Sequence, residues 1–119
     1  MGNTEKINEL KALFAKYNME VAALSCHSNA VHPDKEVAKK ADDDFRKTIL
    51  MAEALGVDTI VTFSGCPGGS AEDKTPNWVT CSWPDDFTKI LDYQWNEVLI
   101  PYWKEAVSFA NAHGVTKIA

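Results

Sequence analysis

Cysteine is scarce: Cys26, Cys66 and Cys81 are the only three in 119 residues, and no two form a C-x-x-C pair. An odd number without that spacing encodes neither a disulfide framework nor a zinc knuckle. Reduced thiols are expected, since a Cys66–Cys81 bridge within one loop would need an oxidising compartment. Long apolar runs are missing as well, and Met1-Gly2-Asn3-Thr4-Glu5-Lys6 lacks the basic and apolar regions of a secretory leader. These gaps exclude a membrane partner and make the cytoplasm the expected location. Positive charge is in deficit, with 12 Lys and Arg against 17 Asp and Glu and a formal net charge of -5. A sequence-independent nucleic-acid binder carries a basic stripe to neutralise phosphates, so nucleic acid is excluded as a partner.

What is present is patterned. Hydrophobic residues make up 45% of the chain, enough for one core in a single domain. Thr4 can cap a helix whose apolar positions Ile7, Leu10, Leu13, Phe14 and Tyr17 recur at three- and four-residue steps. Asn18 tolerates the left-handed conformation that ends helices, and residues 19–25 read as a short strand. Asp34 can cap a second helix with a stripe at Val37, Ala41, Phe45, Ile49, Ala52 and Leu55. The triplet Asp42-Asp43-Asp44 is expected to be solvated helix surface, because neighbouring helix residues diverge in direction. Gly56 closes this helix, and residues 57–63 form a β-branched strand suited to burial. A third helix starts at Pro84, Asp85 and Asp86 and keeps Leu91, Trp95, Val98, Leu99, Tyr102, Ala106, Phe109 and Ala110 on one face as far as His113. Pro101 inside it must kink or split it, and the continuing stripe favours a bend. His113 is expected to meet the terminal carbonyls of this helix.

Gly114-Val115-Thr116-Lys117-Ile118 repeats the helix-glycine-strand pattern of Gly56-Val57-Asp58-Thr59-Ile60. Strands alternating with helices predict a parallel sheet with helical crossovers. No Gly-x-Gly-x-x-Gly follows the first strand, so a dinucleotide-binding unit is disfavoured.

In such folds the chemistry lies in loops beyond the C-terminal ends of the strands. Residues 64–85 are far too long for an ordinary strand-to-helix link of about 2–6 residues, which marks the segment as functional. Its glycines allow close backbone approach, but the Gly-Lys-Ser/Thr of a P-loop is absent. Trp78 and Trp83 offer flat faces either for a sugar ring or for pinning the loop to the body. The other loop carries His27, Ser28, Asn29 and His32, donors and acceptors for hydroxyl groups, and an imidazole can also ligate a metal. His27 directly follows the strand and has either a pocket role or a structural hydrogen bond, whereas His32 beside Pro33 fits a turn. Cys26 is a poor nucleophile candidate, since adjacent residues of an extended segment point to opposite sides.

The segments Leu24-Ser25-Cys26-His27-Ser28-Asn29, His32-Pro33-Asp34, residues 54–69 ending Phe63-Ser64-Gly65-Cys66-Pro67-Gly68-Gly69, Lys74-Thr75-Pro76-Asn77-Trp78, Ser82-Trp83-Pro84 and Ala112-His113-Gly114-Val115 together resemble the sugar phosphate isomerase/epimerase family of xylose-isomerase-like TIM barrels. The resemblance covers nearly the whole chain. It implies a (β/α)8 architecture, of which residues 1–119 would hold about three αβ units with parallel strands, not a closed barrel, and without the usual first strand. It further implies a divalent metal in the full-length family and a proton or hydride moved between adjacent carbons of a hydroxy-carbonyl compound. Metal ligands would follow Ala119, so this chain is expected to bind no metal and to be inactive alone.

The expected ligand is a sugar or sugar phosphate, met by His27, Asn29, Ser64, Cys66, Trp78 and Trp83, with the catalytic residues unassigned. Two other functions fit the same residues: a non-catalytic α/β module that self-associates or pairs with a partner through open sheet edges, and a metal-assisted lyase or dehydratase on the same fold.

Overall fold

The structure is a computed structural model that describes residues 4–119. Helix α1 spans Thr4–Lys16, strand β1 Leu24–Cys26, helix α2 Lys35–Leu55 and strand β2 Thr59–Thr62. After the long loop come α3, Asp85–Tyr93, a π-helical turn over Gln94–Leu99, α4, Ile100–Ala112, and β3, Lys117–Ile118. The three strands form one parallel sheet in the order β1-β2-β3, with Leu24 opposite Ile60 and Ile60 opposite Ile118. The chain is therefore an α/β protein with an unclosed parallel sheet.

Helix ends set this frame. Asn18, Gly56 and Gly114, at φ 51, 75 and 77, sit in the left-handed conformation just past α1, α2 and α4. In each case the next amide reaches back five residues: Met19 N to Phe14 O at 2.9 Å, Val57 N to Ala52 O at 2.8 Å and Val115 N to Ala110 O at 3.0 Å. That bond satisfies a terminal carbonyl and turns the chain sharply out of the helix. At the other end of α2, the Asp34 carboxylate accepts from the amides of Glu36 and Val37, as its position in the sequence predicts.

The core lies between the sheet and the helices. Phe45, Ile49 and Ala52 of α2 meet Val57, Ile60 and Val115, together with Ala106 and Ala110 of α4. The two alanines present almost no side chain, which lets α4 approach closely. Polar contacts join the same helices above the core: the Tyr102 hydroxyl donates to Asp42, and Arg46 spans Asp42 and Glu105. Burial first, and the Asp42 charge second, raise the Tyr102 phenol well above its usual range, so it remains a donor. Asp42 is thus a partner of α4, whereas Asp44 pairs with Lys40 on the exposed face.

Several expectations change in detail. Residues 19–23 are not strand, because the sheet pairs only Leu24–Cys26 with residues 60–62. No side chain of α1 is buried: Ile7 and Phe14 are half-buried, while Leu10, Leu13 and Tyr17 of the same apolar stripe remain exposed. Pro101 produces neither a simple bend nor a break. The preceding turn widens so that the Ile100 amide bonds Trp95 O, five residues back, which accommodates a ring that clashes with an ordinary α-helical turn. The extra residue also shifts the phase. Gln94 turns inward at 5% exposure while Trp95 turns outward at 55%. His113 meets the terminal carbonyls through its backbone amide, which donates to Ala110 O at 3.0 Å, while its ring bonds the Glu53 carboxylate at 2.8 Å.

The molecule measures 57 × 25 × 22 Å with a radius of gyration of 17.3 Å, against roughly 13–14 Å for a compact chain of this length. Among the described residues the sheet is open, with β1 and β3 each paired on one side, as expected for part of a barrel.

Ile60 is fully buried, so Ile60→Ala should cost about 3 kcal/mol in urea unfolding. Gly114→Ala meets open space but keeps a positive φ, and should cost about 1–2 kcal/mol. The bond from Lys117 chiefly, with one from Thr59, lowers the Asp58 carboxyl below its ordinary value. A depressed folded value means that the contribution is complete above the unfolded carboxylate value of about 3.9 and is lost as pH falls through the folded one. Lys117→Met should therefore lessen the loss of stability between neutral pH and about pH 3.

Candidate functional site

Both strand-end loops meet above β1 and β2. The Asn29 side chain reaches across to Cys66, donating from Nδ2 to Cys66 O at 2.8 Å and accepting the Cys66 amide on Oδ1 at 3.1 Å. One side-chain amide therefore reads a backbone peptide as a strand would. The approach is possible because residue 65 is glycine: at φ 88, a Cβ there would lie 2.5 Å from Val31 Cγ2 and 2.7 Å from Asn29 Oδ1. At the end of β2, Trp103 of α4 donates from its indole to Ser64 O at 2.9 Å. Phe45 and Tyr102 pack edge-on against that indole.

Between the loops opens a pocket of about 390 Å³ lined by His27, Ser28, Asn29, Phe63, Ser64, Gly65, Cys66 and Trp78. His27 stacks on Phe63 with centroids 4.6 Å apart and an angle of 22°. This contact fixes the imidazole plane while leaving its nitrogen edge open; among the described residues neither His27 nitrogen nor the Ser64 hydroxyl has a hydrogen-bond partner. Trp78, 75% exposed, adds a second broad apolar face. The pocket thus offers aromatic faces with two polar tips.

A larger cavity of about 480 Å³, lined by Phe14, Met19, Val21 and Gly56 among others, lies at the N-terminal ends of the strands. We assign the site to the smaller one, because ligand chemistry in parallel α/β folds gathers where the strands end.

Of the six residues expected at the site, His27, Asn29, Ser64, Cys66 and Trp78 come together on this pocket. Trp83 does not: it stands 78% exposed at the start of α3. Asn29 spends its amide on Cys66, so its part is to shape the pocket. Cys66 is similarly committed, its buried thiol donating to Asn77 O at 3.4 Å. Burial raises this thiol above its ordinary value, which favours the protonated, hydrogen-bonding form. His32 takes the Asp34 amide on Nδ1 at 2.9 Å, the turn role its neighbour Pro33 suggests.

The sequence reading missed Phe63, Trp103 and Gln94. Phe63 was legible as the residue immediately after β2, at the strand end where the long loop begins. Gln94 stood three residues after Leu91 and four before Val98, a polar residue in phase with the stripe. Trp103 left no such signal, because its indole bond depends on where α4 crosses the sheet.

Among the described residues no three His, Cys, Asp or Glu side chains converge, so the groups present do not fit a divalent metal by themselves. No described helix is long and apolar enough to cross a membrane.

Residues 3–119 match the xylose isomerase-like TIM barrel family. The chain is 44% identical over 119 residues to YfiH, an uncharacterised protein of Bacillus subtilis (strain 168), covering 98% of this chain and 38% of that protein. It thus spans about two fifths of the length of the curated relative it matches. No solved structure matches.

Asn29→Ala removes both bonds to the Cys66 backbone and should lower stability by about 2 kcal/mol. Gly65→Ala combines left-handed strain with a contact inside van der Waals distance and should cost about 2–5 kcal/mol. Trp83→Ala, on an exposed side chain, should stay within about 0.5 kcal/mol of the parent. Chemical denaturation of the three variants orders them.

Proposed function

Because the chain belongs to the xylose isomerase-like TIM barrel family, we propose that it carries the ring-facing wall of a sugar isomerase or epimerase pocket. One observation supports this most directly. The His27–Phe63 stack and Trp78 share one pocket at the C-terminal ends of parallel strands. A sugar ring presents C–H groups to aromatic faces and hydroxyls to polar tips, and a pocket of this kind offers both.

In this reading Phe63 and Trp78 take the apolar face of the ring and shield it from water. His27 and the Ser64 hydroxyl bond its oxygens, and the orientation so fixed presents the carbonyl and its neighbouring carbon to the reacting groups. The reaction is an internal exchange: a base removes the proton from the carbon beside the carbonyl, the electron pair shifts to give an enediolate, and a proton returns either to the former carbonyl carbon, the hydroxyl proton passing to the other oxygen, or to the opposite face of the same carbon. No external oxidant or reductant is needed. The proton-transfer groups and any divalent metal lie outside the set of residues gathered here, so activity belongs to an assembly larger than this pocket wall.

A second reading rests on the open sheet. Both outer strands leave a parallel edge unpaired in the described sheet, and Phe63, Trp78, Trp95 and Ile100 are exposed. Such edges and faces favour pairing with another copy or with a complementary αβ segment. Sedimentation velocity separates the two: a cooperatively melting monomer argues against obligatory assembly.

Titration with neutral aldoses, ketoses and their phosphates, followed by ligand-observed NMR, tests the ring site. We expect binding that Trp78→Ala weakens by about tenfold, corresponding to about 1.4 kcal/mol, and that Trp83→Ala leaves unchanged. Equal effects of the two substitutions, or no binding by the parent chain, would overturn the assignment.

A further inference from the structure

Gln94 is the one strongly buried polar side chain among the described residues, and it does not line the pocket. It sits at the first position of the π-helical turn. Its Nε2 lies 2.8 Å from Asn77 O, 3.2 Å from Pro67 O and 3.3 Å from Gly68 O. A side-chain amide carries two hydrogens, so two donors serve three carbonyls, with the Asn77 bond the shortest. Those carbonyls belong to the two ends of one loop: Pro67 and Gly68 follow Cys66, and Asn77 immediately precedes Trp78. The loop closes at the same place through Asn77 N to Pro67 O at 2.9 Å, and the Cys66 thiol adds a bond to Asn77 O.

We propose that Gln94 is the positioning residue of the pocket, its amide fixing the closure of the 67–77 loop and with it the place of Trp78 relative to His27 and Phe63. The proposal rests on the assignment of that pocket as a sugar-ring site. Pro101 widens the turn that brings Gln94 inward, so the helix, rather than the loop itself, sets the geometry of the wall. From Pro67 the linkage continues through Cys66, whose backbone Asn29 clasps, to the loop that carries His27. Gln94 touches neither ligand nor reacting atoms; it acts through backbone carbonyls. Filling the same volume without a donor would leave those carbonyls facing one another in a buried space, so the hydrogens of the amide carry the effect.

A substitution can separate the hydrogens from the volume. Q94E is nearly isosteric, yet its ionised carboxylate offers no hydrogen to three carbonyl oxygens, while its protonated form offers one. Q94L occupies a similar space and donates at no pH. Other titratable groups nearby are the Cys66 thiol and the Asp73 carboxylate, which takes the Gly69 amide, together with Asp92, Tyr93 and Glu97 on the helical segment itself. The unsubstituted chain carries all of them and serves as the reference at each pH.

The measurement is amide hydrogen exchange at Cys66, Gly69 and Asn77 in the 119-residue chain, from about pH 9 to about pH 5, with helix content followed by circular dichroism. We expect Q94L to lose about tenfold in protection relative to the parent at every pH, and Q94E to lose as much at the alkaline end but recover toward the parent at the acid end. Parent-like protection in Q94L, or a Q94E profile that does not change with pH, would overturn the proposal. If Q94L fails to fold, the comparison of Q94E with itself across pH decides. Absence of sugar binding in the parent chain would sink the ring-site assignment and leave the exchange result intact, whereas unchanged exchange with retained sugar binding would sink this proposal alone.

Discussion

The paired bonds between the Asn29 amide and the Cys66 backbone are the constraint on which the upper half of this molecule depends. Without them, the loop after β1 and the loop after β2 are two separate polar excursions from a three-stranded sheet. With them, the loops share one wall, and the glycine at position 65 becomes obligatory because the Asn29 and Val31 side chains occupy the space a Cβ would take. Everything that faces the pocket is arranged around this clasp: the His27–Phe63 stack on one side, and the Gln94-held loop leading to Trp78 on the other.

Two levels of order carry that arrangement down to the core. Below the clasp, Thr62 donates to Cys26 O at 2.7 Å, so the ends of β1 and β2 are tied beyond their ladder. Trp103 ties the end of β2 to α4, and the indole is itself wedged against Phe45 of α2. A displacement of α4 would therefore be felt at Ser64, on the pocket, through one hydrogen bond. The exposed ion pairs contribute little by comparison, since a solvated pair is worth about 0–1 kcal/mol.

The sequence disclosed the fold where a local rule governs a local outcome. Left-handed Asn18, Gly56 and Gly114, the Asp34 cap and the alternation of helix and strand all follow from a few neighbouring residues. Family resemblance supplied the architecture that three αβ units alone do not specify. His27, Asn29, Ser64 and Cys66 reached one pocket for the same reason, since they follow closely on the ends of β1 and β2, whereas Trp78 joins them from the long loop. What escaped were effects of distance. The carbonyls that Gln94 meets lie on a loop distant in sequence, Trp83 stands at a point where the chain has already left the sheet, and the shortness of β1 depends on which residues of β2 pair with it.

How the polar groups are spent also bears on what this part of the molecule does. Asn29, Gln94 and the Cys66 thiol are each bonded to backbone, and the Ser64 carbonyl is taken by Trp103. These groups make the walls rigid and have little capacity left for a ligand. The surface that remains is mainly the faces of Phe63 and Trp78, edged by His27 and the Ser64 hydroxyl. General acid–base chemistry needs a titratable group within hydrogen-bond reach of the proton it moves, and among the residues lining this pocket His27 and Cys66 alone carry titratable side chains. On the proposed reading its part is to hold a ring by its apolar face and a few oxygens, a task of recognition. In a barrel, that task is separable from proton transfer because different strand ends supply the two sets of groups.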